Sequence, residues 1–317
     1  MTEQHASGEH RAGFIALVGR PNVGKSTLTN ALVGEKVAIT SAKPQTTRRA
    51  IRGIITREDA QVILVDTPGV HRPRTLLGQR LNDLVRETLT EVDVIGFCLP
   101  ADQKVGPGDR YIARDIAELR RGRRGPRLIA IVTKTDLVGP ERVAEHLLEV
   151  QELLDPDEIV PISAVTGKQI DVLVDVIAQQ LPTGPQLYPG GMMTEESEED
   201  RIAELIREAA LEGVRDELPH SLAVVIDEIV ETDPEGDPFR VMEPGQGRLV
   251  VRAHLFVERD SQKGIVIGRG GSRLKEVGSR ARTEINHLLG RRIHLDLQVK
   301  VAKDWQRDPK QLGRLGF

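Results

Sequence analysis

A single cysteine, Cys98, has no partner for an intramolecular disulfide and suits a reducing compartment. It lies in an apolar run at 94–99, where packing and not catalysis is expected of it. Aromatic residues are scarce too, at 3%, so any core must be assembled from Val, Ile, Leu and Ala. No stretch approaches the ~20 consecutive apolar residues that span a bilayer. Residues 1–11 are polar, lack the apolar segment of a secretion signal, and read as a disordered tail. These absences point to a cytoplasmic protein, with loose attachment to a membrane surface left open. The chain also lacks a His/Cys cluster, an internal repeat and a second phosphate-loop motif.

What is present suffices for two domains. The 317 residues are 39% hydrophobic and 29% charged, a globular composition and not a disordered one. The net charge of −4 hides a segregation of signs. Residues 195–247 carry about 17 acids against about 4 bases, and residues 248–317 about 16 bases against about 7 acids. A basic final segment is the footprint of a surface that meets a polyanion.

Short β-branched runs at 14–18, 49–55, 62–65, 94–99, 128–132 and 159–161 alternate with amphipathic stretches at 25–33, 77–89, 108–121, 140–154 and 169–180. Such alternation predicts an α/β domain over 12–182, a mostly parallel sheet with helices on both faces. Its chemistry should sit on the loops after the strands. Residues 183–200, rich in Pro, Gly and acids, read as a linker. Residues 201–303 then follow the order helix, two strands, two helices, strand. They predict an α+β domain, and 304–317 reads as a C-terminal tail. The stretch 232–246 between the two strands is expected to be a Gly/Pro/Asp-rich hairpin loop.

Gly19-Arg20-Pro21-Asn22-Val23-Gly24-Lys25-Ser26-Thr27 sits between the first strand and the first helix, the context a phosphate loop requires. Glycines let successive N–H groups point at phosphates, and the helix N-terminus adds partial positive charge. Lys25 is expected on the β- and γ-phosphates of a nucleotide and the Ser26 hydroxyl on Mg²⁺. Asp66-Thr67-Pro68-Gly69 ends the third strand, which places a carboxylate near Mg²⁺ and a glycine N–H near the γ-phosphate. Thr133-Lys134-Thr135-Asp136 ends the fifth. There Asp136 can accept from guanine N1–H and N2–H₂, which adenine cannot supply, while Lys134 covers the base. Ser163-Ala164 follows the last strand, and the Ala164 N–H can meet guanine O6.

Four such motifs in register after four strands resemble the translation-factor-related small GTPases, with GTP and GDP as ligands. Thr133 stands where that family usually has Asn, and guanine specificity is expected to survive the change. In Pro44-Gln45-Thr46-Thr47-Arg48-Arg49 the resemblance implies a switch loop with one threonine closing on Mg²⁺; Thr47 is preferred over Thr46. Mg²⁺ would then be held by Ser26, Thr47 and Asp66. Val70 follows Gly69 where many small GTPases carry a water-orienting glutamine, so intrinsic hydrolysis is expected to be slow or to work differently. His71 is the candidate replacement base, although a histidine on such a loop is more often a bystander. In relatives with a hydrophobic residue at this point an asparagine in the phosphate loop helps to bind K⁺, and Asn22 holds the matching position.

In the second domain Gly268-Arg269-Gly270-Gly271 follows the apolar 265–267 and opens a helix bearing Arg273, Lys275, Arg280 and Arg282. With the element order, this predicts a type II KH domain, whose GxxG turn clamps about four single-stranded nucleotides. RNA contacts are expected from Gly268, Arg269, Gly270, Gly271, Arg273 and Lys275. The stretches GRPNVGKST, PQTTRR, VDTPGVH, TKTD, ISA, LPHSLAV, KGIVIGRGGSRLKEVG and VKVAKDW resemble, over nearly the whole chain, the Era family of bacterial ribosome-assembly GTPases. The resemblance implies single-stranded RNA near the 3′ end of the small-subunit rRNA as partner, and a role in assembling that subunit. It further implies peripheral association with the inner membrane as an option, and no DNA. An RNA-modifying enzyme would need a catalytic cysteine, metal cluster or cofactor loop outside the first domain, and Cys98 is inside it. A membrane-associated signalling GTPase without RNA would leave the GxxG turn unexplained.

Overall fold

The structure is a computed structural model that describes residues 9–41, 43, 46–121, 125–213, 218–232 and 247–317. The expected hairpin loop from 233 onwards, residues 1–8 of the expected tail, and Pro44 and Gln45 lie outside the described residues. The chain splits into two compact units, the first holding most residues up to Glu195 and the second holding Glu196–Phe317 together with short segments of the first half such as Thr75–Leu77.

The first unit is built on a six-stranded sheet. Its strands are β1 (Arg11–Val18), β2 (Ile51–Thr56), β3 (Ala60–Asp66), β4 (Val94–Pro100), β5 (Arg127–Thr133) and β6 (Glu158–Pro161), in the order β2-β3-β1-β4-β5-β6. Only β2 is antiparallel, so the remaining strands all present their carboxyl ends to the same edge. Alternation along β1 explains why both faces are covered. Ile15 and Leu17 join a core with α1 (Lys25–Val33) and α5 (Ile170–Gln180). Ala16 and Val18 face the core shared by α2 (Leu76–Glu91), α3 (Pro107–Leu119) and α4 (Pro140–Leu154). Burial on both faces is why the strands read as continuous apolar runs. Cys98 is fully buried, and that burial pushes its thiol up to about 12, so it is inert packing.

The segment expected to be a free linker is ordered against this sheet. Its backbone adds to β2: Ile54 N–H donates to the Met193 carbonyl (2.8 Å), and Thr194 Oγ1 donates to the Arg52 carbonyl (2.7 Å). Gln61, fully buried on β3, accepts from Leu187 and Tyr188 N–H (2.7 and 2.9 Å) and donates to the Tyr188 carbonyl (2.9 Å). The physical reason is an edge strand whose unpaired backbone groups need covering. Pro and Gly composition carries no sign of that need. Arg11, the last residue of the expected N-terminal tail, belongs to β1 and pairs with Ala60.

The second unit runs α6 (Glu198–Leu211), α7 (Leu218–Ser221), β7 (Ala223–Thr232), β8 (Arg248–Val257), α8 (Asp260–Ile267), α9 (Ser272–Leu289), β9 (Ile293–Val301) and α10 (Pro309–Arg314). Helix α6 starts at Glu198, three residues before the expected start of the second domain at 201, because Ser197 caps it, its Oγ accepting from Asp200 N–H at 3.1 Å. In the sheet, β7 is antiparallel and β9 parallel to the central β8. Ile202, Leu205 and Ile206 of α6 and Val277, Ala281 and Ile285 of α9 share a core with Val251, Ala253 and Leu255 of β8. The expected C-terminal tail is part of this fold. Trp305 is fully buried, donates Nε1–H to the Ser221 carbonyl (3.0 Å), and stacks on Phe317 with ring centroids 5.5 Å apart. Leu312 and Leu315 are buried beside it in sequence. No described helix is long and apolar enough to cross a membrane.

Candidate functional site

The loop between β1 and α1 turns through two left-handed residues, Asn22 (φ 62°) and Gly24 (φ 102°). This geometry gathers successive backbone N–H groups into an anion-binding concavity that ends on the first turn of α1. Lys25 is buried and donates from Nζ to the carbonyls of Gly19 (3.3 Å) and Arg20 (3.2 Å). Burial lowers its pKa, and the nearby Asp66 carboxylate opposes that shift. Arg20 turns away from the concavity: its Nε donates to Asp109 Oδ1 at 2.7 Å.

Asp66, at the end of β3, is fully buried, and burial raises its pKa to about 6 against the pull of Lys25 and its hydroxyl neighbours. Ser26 Oγ donates to Asp66 Oδ2 (2.6 Å) and lies 2.8 Å from Thr47 Oγ1. The other carboxylate oxygen, Asp66 Oδ1, is buried without a hydrogen-bond partner. An orphaned carboxylate oxygen beside two hydroxyls is an all-oxygen donor set that suits a small hard cation such as Mg²⁺. The three residues expected on Mg²⁺ are thus brought together, Thr47 among them; Thr46 is buried as well. Among the described residues no group of three or more His, Cys, Asp or Glu could hold a metal.

The segment after Asp66 is fastened to the phosphate loop. Thr67 Oγ1 donates to the Leu17 carbonyl (2.7 Å) and Val70 N–H to the Gly19 carbonyl (3.1 Å). A Cβ on Gly69 would lie 2.7 Å from the Pro21 nitrogen, so the approach of the two backbones admits only glycine there. Val70 itself is buried, with Pro68 before it in the turn. His71 Nδ1 lies 3.2 Å from the Gly69 carbonyl.

At the residues expected to recognise the base, Ser163 is fully buried and donates to Asp136 Oδ1 at 2.6 Å, while Thr166 N–H donates to Ser163 Oγ at 3.2 Å. The carboxylate of the exposed Asp136 is therefore oriented from below. Lys134 takes a left-handed conformation (φ 58°), and Ala164 is half-buried next to Ser163. Thr133 is buried and donates Oγ1–H to the Val23 carbonyl at 2.6 Å. Threonine in place of asparagine thus still ties the base loop to the phosphate loop. A buried bond of this kind contributes roughly 1 kcal/mol, and more is lost if the carbonyl is left unpaired.

In the second unit the turn between α8 and α9 holds Gly268 (φ 74°), Gly270 (φ 56°) and Gly271 (φ 79°). Arg269, Gly270 and Lys275 are exposed, and Ile265 on α8 is 55% exposed. Two of the expected contact residues behave differently from the rest. Gly268 must be glycine for the fold itself, because a Cβ there would come within 2.7 Å of Arg273 Cβ. The Arg273 guanidinium is directed at the end of α6, with Nη2 donating to the Glu212 carbonyl (2.6 Å) and the Ala210 carbonyl (3.4 Å).

Comparisons with known proteins bear on both units. A family model described as "50S ribosome-binding GTPase" matches residues 14–134, and one described as "KH domain" matches 217–306. GTPase Era of Mycolicibacterium smegmatis is 63% identical over 312 residues, covering 98% of this chain and 99% of that protein. The chain belongs to the Era family. It is accordingly a GTPase. The Mycobacterium tuberculosis member is 61% identical over 313 residues with the same coverage, 98% of this chain and 99% of its own. The crystal structure of an Era in complex with MgGDPNP and nucleotides 1506–1542 of 16S ribosomal RNA superposes with a TM-score of 0.88 at 38% identity, covering 97% of this chain and 99% of that one. An Aquifex aeolicus Era variant bound to GDP and aluminium fluoride gives 0.87 at 38% identity, covering 96% and 99%.

Within this Era-family frame, one residue that holds the site had no sequence signal. Asp109 is 1% exposed, accepts from Arg20 and from Gly106 N–H (2.8 Å), and so braces the phosphate loop from α3. Gln61 secures residues 187–188 and Trp305 the C-terminus, as described above. An acid at the first turn of a helix reads as an ordinary helix start, and only the fold brings Arg20 to it.

Proposed function

We propose that this GTPase binds single-stranded RNA near the 3′ end of the small-subunit rRNA, with hydrolysis timing its release during assembly of that subunit. One observation carries this reading: a glycine turn with exposed Arg269 and Lys275 and the apolar Ile265 beside it, in the second unit of a GTPase. Backbone N–H groups and cations meet phosphates there, and an apolar side chain offers a surface for splayed bases. The relative solved with a 16S ribosomal RNA fragment supports the same class of partner.

In the first unit, the loop 19–27 and Lys25 are assigned to the phosphates, since charged phosphate oxygens are better acceptors for Lys25 than the two carbonyls it now meets. Ser26, Thr47 and Asp66 are assigned to Mg²⁺, which when bound neutralises charge on the transferring phosphoryl group. Lys134, Asp136, Ser163 and Ala164 are assigned to guanine. Thr133, Thr46, Thr67, Pro68, Gly69 and Val70 shape the surrounding loops. Crosslinking of RNA to the protein in cells tests the function as a whole. Fragments should map to the 3′ end of the small-subunit rRNA. Recovery of only unrelated RNA, or none, would remove the assembly reading. Incubation with anionic vesicles tests peripheral membrane attachment on the cytoplasmic face, which the family resemblance alone suggests.

A hydrophobic Val70 cannot orient water as glutamine does, so a monovalent cation at the phosphate loop is assigned part of the catalysis. Asn22 is assigned to K⁺ on the family resemblance. GTP hydrolysis is expected to be faster in K⁺ than in Na⁺, and Asn22→Gly should abolish the difference. Glycine keeps the left-handed backbone that Asn22 adopts, whereas Ala there would add strain of ~1 kcal/mol or more. Equal rates of the wild-type protein in the two salts would leave Asn22 as a loop-shaping residue.

A further inference from the structure

Arg273, one of the basic residues around the glycine turn, is bonded to helix-end carbonyls. Helix α6 stops at Leu211, and the last carbonyls of a helix have no partner of their own. Arg273 supplies partners for two of them, Ala210 and Glu212, and brings a cation to the negative end of the helix dipole. Two turns along the same face of α9, Arg280 pairs with Glu212 and, at 2.8 Å, with Glu276. Arg273 also lies directly under the turn: its backbone nitrogen and Cβ occupy the space a side chain on Gly268 would need. The turn closes on itself through Gly268 N–H to the Gly264 carbonyl (2.9 Å) and Gly271 N–H to the Gly268 carbonyl (3.2 Å). One residue therefore joins the end of α6, the first turn of α9 and the glycine turn.

We infer that Arg273 is a positioning residue for RNA binding. It holds the glycine turn against the end of α6, and RNA affinity depends on it without any contact between its guanidinium and a phosphate. The inference rests on the reading that the turn binds RNA. It separates Arg273 from Arg269 and Lys275, whose exposed side chains remain the phosphate contacts. Both bonds leave one guanidinium nitrogen, Nη2, which stands one bond further from the backbone than a lysine ammonium, so a lysine at 273 falls short of the two carbonyls in the same geometry. Charge alone therefore does not replace it.

The test uses the full chain and a labelled single-stranded RNA with the sequence of the 3′ end of the small-subunit rRNA, titrated at several salt concentrations. Arg273→Lys and Arg273→Met should each lower affinity about tenfold, the worth of a charge-assisted hydrogen bond. The slope of log K against log salt should match wild type in both, and GTP turnover should be unchanged. A phosphate contact would behave differently: Arg273→Met would flatten the slope by about 0.7, the value for one phosphate on a single strand, and Arg273→Lys would bind normally. That pattern overturns the inference, as does wild-type affinity in both variants. Amide hydrogen exchange supplies an independent readout, with protection lost around 268–276 and retained in β7, β8 and β9. If Arg273→Met unfolds the whole unit, the Lys variant decides by the same criteria. Gly270→Asp, measured alongside, separates the failures. Full RNA affinity in that variant would sink the reading that the turn binds RNA, and this inference with it. Lost affinity there combined with normal binding by Arg273→Lys would sink this inference only.

Discussion

Asp136→Asn should lower GTP affinity by roughly a thousandfold or more, in the range by which sites built to hydrogen-bond a substrate reject a mismatched one. The same variant should gain affinity for xanthosine triphosphate. The expectation follows from how the carboxylate is held. Thr166 N–H donates to Ser163 Oγ, so the Ser163 hydroxyl hydrogen is directed at Asp136 Oδ1. In the variant that hydrogen selects the amide oxygen for the Oδ1 position and turns the NH₂ group toward the base. Guanine then presents donors to a donor, whereas xanthine offers its 2-oxo group. Equilibrium binding of both labelled nucleotides checks this. Unchanged GTP affinity would place the guanine site elsewhere. Loss of both nucleotides would show that the substitution collapsed the loop around Ser163 and did not switch its specificity.

Gly270→Asp combined with Gly271→Asp should remove most single-stranded RNA affinity, a loss of about a hundredfold or more, and leave GTP hydrolysis near normal. Two carboxylates placed where phosphates approach oppose binding both by volume and by charge. The charge part should fade as salt screens it, and the steric part should persist. The structure dictates the choice of positions. Gly270 and Gly271 have nothing within 4 Å of an added Cβ, so the fold has room for a side chain at both. Their left-handed backbone is one that Asp tolerates better than most residues. Gly268 is the wrong place for this experiment. A side chain there meets Arg273, and a lost RNA signal would report a damaged turn. Retained RNA affinity in the double variant would move the RNA site off the turn. Hydrolysis collapsing together with RNA binding would contradict two independently working units.

Thr133 shows the boundary between what a motif says and what it leaves out. The sequence marks it as a departure at a base-recognition loop. Its hydroxyl does the joining work on the Val23 carbonyl, a partner 110 residues away. Arg273 is the opposite case, a basic residue in a basic stretch whose charge is directed into the protein. Composition counts both as surface chemistry because it records residue types and not directions.

The amino-acid sequence by itself determined the strands of both units and most of their helices to within a few residues, but not the short α7 or α10, the latter lying in the stretch read as a tail. It also determined the phosphate, switch and base motifs and the glycine turn. These are local: hydrophobic period, glycine placement and loop chemistry act over a few neighbouring residues, and the nucleotide loops must sit where strands end. Tertiary structure alone decided that residues 187–194 lie along β2 and β3, that Asp109 braces Arg20, that Trp305 and Phe317 close the C-terminus, and that Arg273 caps α6. Each of these is a contact between an unmet need and a distant residue: an open sheet edge, a buried charge, an exposed indole, a helix end. Such needs are satisfied by whatever the fold brings near, and short-range sequence pattern carries no record of it.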